Sequence, residues 1–264
     1  MIVKPCVDVV IPVFDGQETI LAALNSVLNG QGAWVHRIFV IDDGSRDNTV
    51  AIVQRLDSPM IELVSTPNQG VAQARNLGIE KSSAEWIAFL DADDLWRPGK
   101  LEAQLNAAKE FDAGFVCNSI SSQSIRSAGF ISAKVLARGN FVATSSVLVK
   151  RSVLQQITPV FTPGMSFAED YLAWLKCVTL TSGYFLSANL VDYILSERPR
   201  YRWNQILINI VSVNIHYGYF LRQIGIEPLQ RFGLRLAVFL GSLQSILSIA
   251  KRFIQDREKG SENK

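Results

Sequence analysis

Short runs of β-branched residues alternate with segments of helical periodicity over the first 120 residues, and no other feature constrains the fold as strongly. An apolar run at residues 7–13 is followed by Ile20, Leu24 and Val27 at helical spacing, and this order of strand and helix recurs three more times before Gly114. Such alternation predicts βαβ units in a mostly parallel α/β sheet with flanking helices, which binds ligands at the carboxyl ends of its strands. We expect strands at residues 7–13, 37–41, 60–64, 85–90, 114–117 and 143–149, and helices at 19–28, 49–56, 70–80, 98–111 and 151–156.

The composition indicates a globular protein with one or two domains. The chain has 264 residues, of which 48% are hydrophobic and 19% charged, so it can bury a sizeable core and is not of the disordered type. Its three cysteines are scattered without a CxxC pair, which argues against a disulfide framework or a zinc site and favours a reducing compartment. The chain has only two histidines, which argues against a Ser-His-Asp triad.

Charge is distributed unevenly along the chain. From Arg198 onward there are 11 basic and 4 acidic residues, a net +7, whereas the preceding residues carry 15 basic and 20 acidic ones, a net −5. A shift of this kind marks a change of role. We therefore predict a main domain at residues 1–197 and a separate helical region at residues 198–264.

Two acidic clusters lie directly after predicted strands. Residues 42–43, both Asp, end the second strand, and residues 91–94, Asp-Ala-Asp-Asp, follow the fourth. A hard divalent cation takes oxygen ligands and stabilises carboxylates that are grouped in this way. The alternatives are a tight turn after the second strand, with Asp47 or Asn48 capping the next helix, and a solvated acidic turn after the fourth.

These clusters and their neighbours resemble the motifs of inverting family 2 glycosyltransferases, which have the GT-A fold. Residues 9–15 are similar to the family's opening strand, with Phe14-Asp15 where members often have Tyr-Asn. Residues 42–49 match the family's Asp-Asp-Gly-Ser-x-Asp-x-Thr stretch. Residues 68–78 resemble its Asn-x-Gly element followed by Ala-Arg-Asn-x-Gly, and residues 91–94 resemble its DXD motif. Four motifs in the family's order imply its Rossmann-like α/β fold.

The resemblance also implies a donor site. One of Asp42 and Asp43 would accept a hydrogen bond from the nucleotide base, and Arg75 would reach the donor or its diphosphate. Asp93 would contact Mn²⁺ or Mg²⁺, and Asp91 would contact the ribose or the water shell of the metal. The donor-binding set that the resemblance implies is Pro12, Phe14, Asp15, Glu18, Asp42, Asp43, Gly70, Arg75, Asn76, Asp91, Ala92 and Asp93.

A further acidic pair, Glu169-Asp170, opens a helical pattern that continues through Leu172 and Leu175. Acidic side chains are favoured at a helix start by the helix dipole alone, so a structural role is one explanation. In the family that the chain resembles, a matching pair opens a helix below the acceptor site and its Asp is the base. The resemblance therefore implies that Asp170 is the catalytic base, with Glu169 as the second choice.

Sugar transfer suits these motifs chemically. A cation stabilises the leaving nucleoside diphosphate, and a carboxylate deprotonates the attacking hydroxyl. We expect a glycosyltransferase of the hexosyltransferase type that moves a sugar from a nucleotide-diphosphate sugar to an acceptor hydroxyl with inversion, in cell-surface polysaccharide or glycolipid biosynthesis. One alternative is a sugar nucleotidyltransferase, although residues 12–16 lack the basic Gly-rich loop that it would need. The other is a non-catalytic, membrane-associated homologue that partners another transferase. The acidic body disfavours nucleic-acid binding.

The basic C-terminal region carries two amphipathic helical patterns. Apolar residues recur at intervals of three and four over residues 206–220 and again over residues 229–253, with Gly225 and Pro228 between the two patterns. Helices with an apolar face and basic residues suit an anionic membrane surface, and a lipid-linked acceptor would follow. Packing on the main domain or pairing in a homodimer is the alternative. Because neither a signal segment nor an apolar stretch of about 18 residues is evident, we expect a cytoplasmic protein on the inner face of the cell membrane.

Overall fold

The computed structural model describes residues 5–121, 126–165, 168–193 and 203–242. The chain divides into two compact units. The first combines Met1–Ile131 with Val142–Arg198, and the second combines Ser132–Phe141 with Pro199–Lys264. The second unit therefore includes an inner segment, residues 132–141, as well as the basic C-terminal region.

The strands and helices predicted before residue 118 are present, and the structure adds elements that were not predicted. The strands are β1 (Val7–Val13), β2 (Val35–Asp42), β3 (Ile61–Ser65), β4 (Trp86–Phe89), β5 (Leu95–Trp96), β6 (Phe115–Ile120), β7 (Gly129–Ile131), β8 (Leu148–Lys150) and β9 (Gly183–Asp192). The helices are α1 (Ile20–Gln31), α2 (Thr49–Arg55), α3 (Val71–Lys81), α4 (Lys100–Glu110), α5 (Ala133–Leu136), α6 (Arg151–Leu154), α7 (Glu169–Leu180) and α8 (Trp203–Gln223), with a 3₁₀ turn at Thr144–Ser146. The elements that were not predicted are β5, β7, α5 and β9.

The described residues of the first unit form a nine-stranded sheet in the order β3-β2-β1-β4-β8-β6-β9-β5, with β7 paired to β9. The strands β3, β2, β1 and β4 are parallel, as predicted. The other half is mixed, because β8 runs antiparallel to both of its neighbours and β5 runs antiparallel to β9. Since β1 lies between β2 and β4, residues that follow those two strands emerge at one edge of the sheet.

Helices cover both faces of β1, which is buried along its whole length. Val9 and Ile11 join the core cluster with Leu24 of α1. On the opposite face Val10 lies so close to Gly78 of α3 that a β-carbon at residue 78 would lie 2.3 Å from Val10 Cγ1. This close approach brings α3 down onto the sheet and fixes where its polar residues lie.

The predicted strand at residues 143–149 is wrong over most of its length. Residues 144–146 form the 3₁₀ turn instead, closed by hydrogen bonds from Ser146 N to Ala143 O and from Val147 N to Thr144 O. The strand begins only at Leu148. The physical reason is that Ser145 bonds to the acidic turn at residues 91–94 rather than to a strand ladder.

The second unit contains α5, α8 and a further helical stretch at residues 228–242, with Gly225 (φ +75°) in the break between the last two. Val213, Tyr217 and Phe220 of α8 are buried, as its apolar periodicity predicts. The apolar positions at 229, 232, 236 and 239 of the next helix are exposed instead. Among the residues that are described, none of the helices combines the length and apolar character that crossing a membrane requires. The start of the basic region, residues 198–202, and the end of the last apolar pattern, residues 243–253, lie outside the described ranges.

Candidate functional site

Asp42, the last residue of β2, and Asp43, which follows it, both hold loops by hydrogen bonds. Asp43 is buried, and its two carboxylate oxygens accept hydrogen bonds from Gln69 N (2.7 Å) and Gly70 N (2.8 Å). Gly70 has φ +90° and immediately precedes α3, so this carboxylate fixes the start of that helix. Asp42 is also buried and accepts a hydrogen bond from Ser45 N at 3.1 Å. Asp43 therefore has a structural role in the described contacts, which leaves Asp42 as the stronger candidate for the nucleotide base.

The loop after β1 is joined to the loop after β2 by side chains. Ser45 Oγ accepts a hydrogen bond from Asp15 N at 2.9 Å, and Asp15 Oδ1 accepts one from Arg46 N at 2.7 Å. Asp47 does not only cap α2, because its Oδ2 also accepts from Gln17 N at 2.9 Å. Of the other residues predicted here, Pro12 is buried, whereas Phe14 and Glu18 are exposed. These hydrogen bonds hold the two loops together, and the Phe14 side chain beside them remains exposed.

Arg75 of α3 joins the two other acidic motifs. Its Nη2 donates to Asp91 Oδ1 at 2.8 Å and its Nη1 donates to Glu169 Oε1 at 2.9 Å. The guanidinium is only 5% exposed and lies 5.2 Å from the centre of the Phe161 ring. Burial alone would lower the pKa of Arg75, but Asp91 and Glu169 raise it, so the side chain stays charged. One buried cation thus holds the DXD motif against the start of α7.

Asn76, the next residue, fixes the segment that carries this ring. Asn76 Nδ2 donates to Phe161 O at 2.7 Å, and Phe161 N donates to Asn76 Oδ1 at 3.0 Å. The described contacts of Asn76 are therefore to the backbone, although the resemblance implied a donor-binding role. The ring of Phe161, which no sequence motif indicated, packs against the guanidinium of Arg75.

The acidic turn after β4 has two accessible carboxylates and one buried one. Asp91 and Asp93 are partly exposed, as is Ala92 between them, whereas Asp94 is 1% exposed and accepts a hydrogen bond from Ser145. Burial and then the charge of Asp91 raise the pKa of Asp93. The two accessible carboxylates therefore repel each other, and a positive charge placed between them would relieve that repulsion.

Asp170 lies in the first turn of α7, beside Glu169. Burial, followed by the charge of Glu169, raises the pKa of Asp170 to about 6, although Arg75 acts in the opposite direction. Its Oδ1 accepts a hydrogen bond from Tyr171 N at 2.6 Å. A carboxylate with a pKa near the working pH is well matched to accept a proton and release it again.

Tyr193 lies close to the aspartates of the acidic turn, although no sequence motif indicated it. The antiparallel register pairs Leu95, the first residue of β5, with Asp192, the last residue of β9. Continuing that register by one residue brings Asp94, which precedes β5, next to Tyr193, which follows β9. Burial, then the charges of Asp94, Asp91, Asp93 and Asp170, raise the pKa of Tyr193 to about 12. The side chain is 37% exposed and stays a neutral phenol, so it offers an O–H donor to an otherwise acidic cleft.

The pair Asp91 and Asp93 fits a divalent cation that arrives with a diphosphate. Among the described residues, no group of three or more His, Cys, Asp or Glu side chains is placed to hold a metal ion. Mg²⁺ in enzymes that act on phosphates is typically held by one or two carboxylates, waters and the substrate phosphates themselves. A cation bound between Asp91 and Asp93 would oppose the rise in the pKa of Asp93 that burial and then the charge of Asp91 cause. The donor set therefore fits the metal, in a site that the substrate completes.

The predicted residues thus gather at one edge of the sheet in two groups. Arg75, Asp91, Asp93, Glu169 and Asp170 form one cluster that is connected by ion pairs and close charges. Asp42 and Asp43 end β2, two strand spacings or roughly 10 Å away across β1. The loop that Asp43 holds leads directly into α3 and so to Arg75, which connects the groups through the backbone.

Comparisons with known proteins agree with this architecture. The family described as Glycosyl transferase family 2 matches residues 8–165. The Escherichia coli UDP-Glc:alpha-D-GlcNAc-diphosphoundecaprenol beta-1,3-glucosyltransferase WfgD is 30% identical over 218 residues, which cover 75% of this chain and 84% of that protein. An uncharacterized glycosyltransferase of Haemophilus influenzae is 37% identical over 105 residues, 39% of this chain and 42% of the relative. The chain thus spans less than half of some relatives that it matches.

Solved structures share the fold. The structure of S. aureus TarS residues 1–349 in complex with UDP-GlcNAc has a TM-score of 0.75 and 17% identity, and covers 91% of this chain and 73% of that chain. The predicted GT-A fold is therefore confirmed. Because the family match covers more than half of the chain and WfgD matches over most of both proteins, this chain belongs to glycosyl transferase family 2.

Proposed function

We propose that this chain transfers a sugar from a nucleotide-diphosphate sugar to an acceptor hydroxyl, with inversion, in the synthesis of a cell-surface polysaccharide or glycolipid. The observation that carries the proposal is the cluster around Arg75, which holds the DXD carboxylate Asp91 and the acidic pair at the start of α7 together. A transferase needs these two functions side by side, because the leaving diphosphate and the attacking hydroxyl lie on opposite faces of one sugar carbon.

Asp170 is the proposed base. Its raised pKa, about 6, lets it take the proton of the acceptor hydroxyl at neutral pH as the oxygen attacks. Glu169 is less suited, because its carboxylate is held by Arg75 at 2.9 Å. A single base acting on the acceptor gives direct displacement, and hence inversion, without a covalent sugar–enzyme intermediate.

Donor binding is assigned to the edge formed by β1, β2 and β4. Asp42 would accept a hydrogen bond from the nucleotide base, the exposed ring of Phe14 would contact the donor, and Tyr193 would offer a hydroxyl to the diphosphate or the sugar. Asp93 and Asp91 would hold Mn²⁺ or Mg²⁺, which when bound neutralises charge on the leaving diphosphate. The names of WfgD and of the TarS complex, which specify UDP-Glc and UDP-GlcNAc, support a uridine-diphosphate sugar as the donor.

The second unit supports a membrane-surface role and a lipid-linked acceptor. Leu229, Phe232 and Leu236 are exposed on its last described helix. A groove of about 880 Å³ lies between that helix and the basic side chains of Lys134 and Arg138. Exposed apolar residues beside cations suit an anionic bilayer surface, and WfgD is named for a diphosphoundecaprenol acceptor. Pairing of this surface in a homodimer is the competing proposal.

A panel of nucleotide sugars tests the transferase proposal. Thermal unfolding is followed with each sugar nucleotide, with and without Mn²⁺, because a ligand that binds only the folded state raises its stability. We expect a uridine-diphosphate sugar to raise the melting temperature in the presence of Mn²⁺, and Asp93→Ala to abolish the Mn²⁺-dependent part of that rise.

The released product then separates the candidate functions. Incubation of the stabilising donor with lipid-linked sugar acceptors should release a nucleoside diphosphate. Release of pyrophosphate in a separate incubation with a sugar 1-phosphate and a nucleoside triphosphate would instead indicate a nucleotidyltransferase. If the chain binds the donor but transfers its sugar to none of the lipid-linked acceptors, a non-catalytic homologue would be favoured.

A further inference from the structure

The 3₁₀ turn at Thr144–Ser146 lies against the acidic turn at residues 91–94, and Ser145 is the point of contact. Asp91 N donates to Ser145 Oγ at 3.0 Å, and Ser145 Oγ in turn donates to Asp94 Oδ2 at 2.5 Å. Trp96 Nε1 donates to Ser145 O at 2.8 Å. One buried serine thus bonds to the first residue of the acidic turn, to its last residue and to the strand that follows.

These bonds determine the shape of the acidic turn. Asp94 N donates to Asp91 O at 3.0 Å and closes the turn, while Ser145 holds both ends from outside. A hydroxyl can accept one hydrogen bond and donate another at once, and a bond donated to a buried carboxylate is stronger than one between neutral groups. The directions of Asp91 and Asp93 from the sheet edge therefore depend on Ser145.

We propose that Ser145 and Asp94 are positioning residues for the donor site: they hold the turn so that the carboxylates of Asp91 and Asp93 face the diphosphate and its cation. Asp94, the third carboxylate of the motif, then acts through Ser145 rather than on the ligand. This inference rests on the proposed function, because the diphosphate is the ligand that the turn is held to receive.

The neighbouring serine offers a matched control. Ser146 is also fully buried, but its Oγ donates to Ala143 O at 2.7 Å within its own turn. Ser145→Ala and Ser146→Ala remove the same atom from adjacent residues. Only the first change removes a bond to the acidic turn.

Two measurements on the full chain test the role. Without ligand, amide hydrogen exchange at Asp91 should be faster in Ser145→Ala than in the wild type, and unchanged in Ser146→Ala. With UDP and Mn²⁺, calorimetric titration well below the unfolding temperature should show about a tenfold loss of UDP affinity in Ser145→Ala, as expected for the loss of a hydrogen bond that fixes a charged group. Ser146→Ala should stay within about twofold of the wild type, since its bond is local.

Ser145→Cys is used if Ser145→Ala does not fold. The cysteine side chain is only somewhat larger than that of serine, and its thiol is a weak hydrogen-bond partner, so the same loss of UDP affinity is expected. Equal UDP affinity in the wild type and in a folded Ser145 variant, or an equal loss in Ser146→Ala, overturns the positioning role. If the wild type binds no UDP, the titrations are repeated with the other nucleoside diphosphates, and a wild-type chain that binds none of them overturns the proposed function itself, and the role with it.

Discussion

At the scale of single residues, the balance of charge around Arg75 determines the chemistry of the cluster. One guanidinium faces Asp91 and Glu169 directly and Asp170 at longer range, so the cluster carries more negative than positive charge. Burial and Glu169 raise the pKa of Asp170 while Arg75 lowers it, and the result is about 6. Removing a buried ion-pair partner leaves an uncompensated charge, so Arg75 is a poor first target for mutagenesis. Asp170 and Tyr193 are better ones.

Asp170→Asn should lower the rate of transfer by about two to four orders of magnitude, the usual contribution of a general base, while UDP affinity stays within about twofold. In the wild type, Asp170 is protonated below its pKa and cannot accept a proton. The rate should therefore rise with pH and level off above a midpoint near 6. Steady-state assays between pH 5 and 8 measure this, and wild-type rates in the Asn variant would show that the base lies elsewhere.

Tyr193→Phe keeps the ring and removes a phenolic hydroxyl that lies in the field of four aspartates. We expect KM for the donor or the acceptor to rise by about three- to tenfold, the worth of one neutral hydrogen bond. Tyr184→Phe is the matched control, because Tyr184 lies in β9, which Tyr193 directly follows, and makes its contact by stacking on Phe111. Unchanged kinetics in the Tyr193 variant would remove this residue from the site.

At the scale of elements, the site depends on how closely α3 approaches β1. Gly78 of α3 contacts Val10 of β1, and Arg75 and Asn76 lie within one turn of that contact. The other end of α3 is held by Asp43 through Gly70. The helix is thus fixed at both ends of the segment that carries the site residues, and its packing and its function are coupled.

Gly78→Ala should destabilise the fold by about 1–3 kcal/mol, because the added methyl overlaps a buried side chain. Val10→Ala makes room for that methyl, so the double variant should lose less than the sum of the two single changes. Urea unfolding of the three variants measures this. If the losses in the free energy of unfolding were additive, residues 10 and 78 would not interact sterically.

The sequence predicts well those elements whose signal is local. The strands β1 and β4 are buried along their whole length and β2 over its last five residues, so their sequences are largely apolar, and the helices between the strands show a regular period. The strand β9 was missed because its burial does not alternate regularly, and its register against β6 shifts near Asn118. Its position depends on partners more than 60 residues away in the sequence.

The same distinction separates the predicted site residues from the missed ones. The acidic motifs were found because each follows a predicted strand directly, where an α/β sheet binds its ligands. Ser145, Phe161 and Tyr193 reach the site only through tertiary contacts, and no motif of their own accompanies them. Residues that support a site from distant elements are those that a single sequence cannot reveal.

At the scale of the whole molecule, charge and apolar exposure are divided between the two units. The acidic residues of the site belong to the first unit, whereas the second carries the basic C-terminal region and the most exposed large apolar side chains. A chain that meets a charged, soluble donor and a lipid-linked acceptor needs both kinds of surface. The division is therefore in keeping with an enzyme that works at a bilayer.

Leu229→Ser combined with Phe232→Ser tests the bilayer proposal, since these side chains are 83% and 64% exposed. Flotation with phosphatidylglycerol vesicles should fall by at least about tenfold, because each side chain contributes a kilocalorie or more when buried. Leu21→Ser, at an exposed apolar residue of the first unit, is the control and should float like the wild type. Self-association would be favoured instead if the wild type did not float with vesicles and sedimented as a dimer, while the double variant sedimented as a monomer.

The way Asp43 is used has a consequence for changing the nucleotide that the enzyme prefers. With both oxygens bonded to consecutive backbone amides, Asp43 tolerates neither Glu, which would displace the loop, nor Asn, whose NH₂ group would oppose an N–H. Asp42 accepts a hydrogen bond on one oxygen only in the described contacts, from the backbone N–H of Ser45 in the same loop. Engineering of base preference should therefore begin by randomising Asp42 and the loop after β1, with Asp43 left intact in every library.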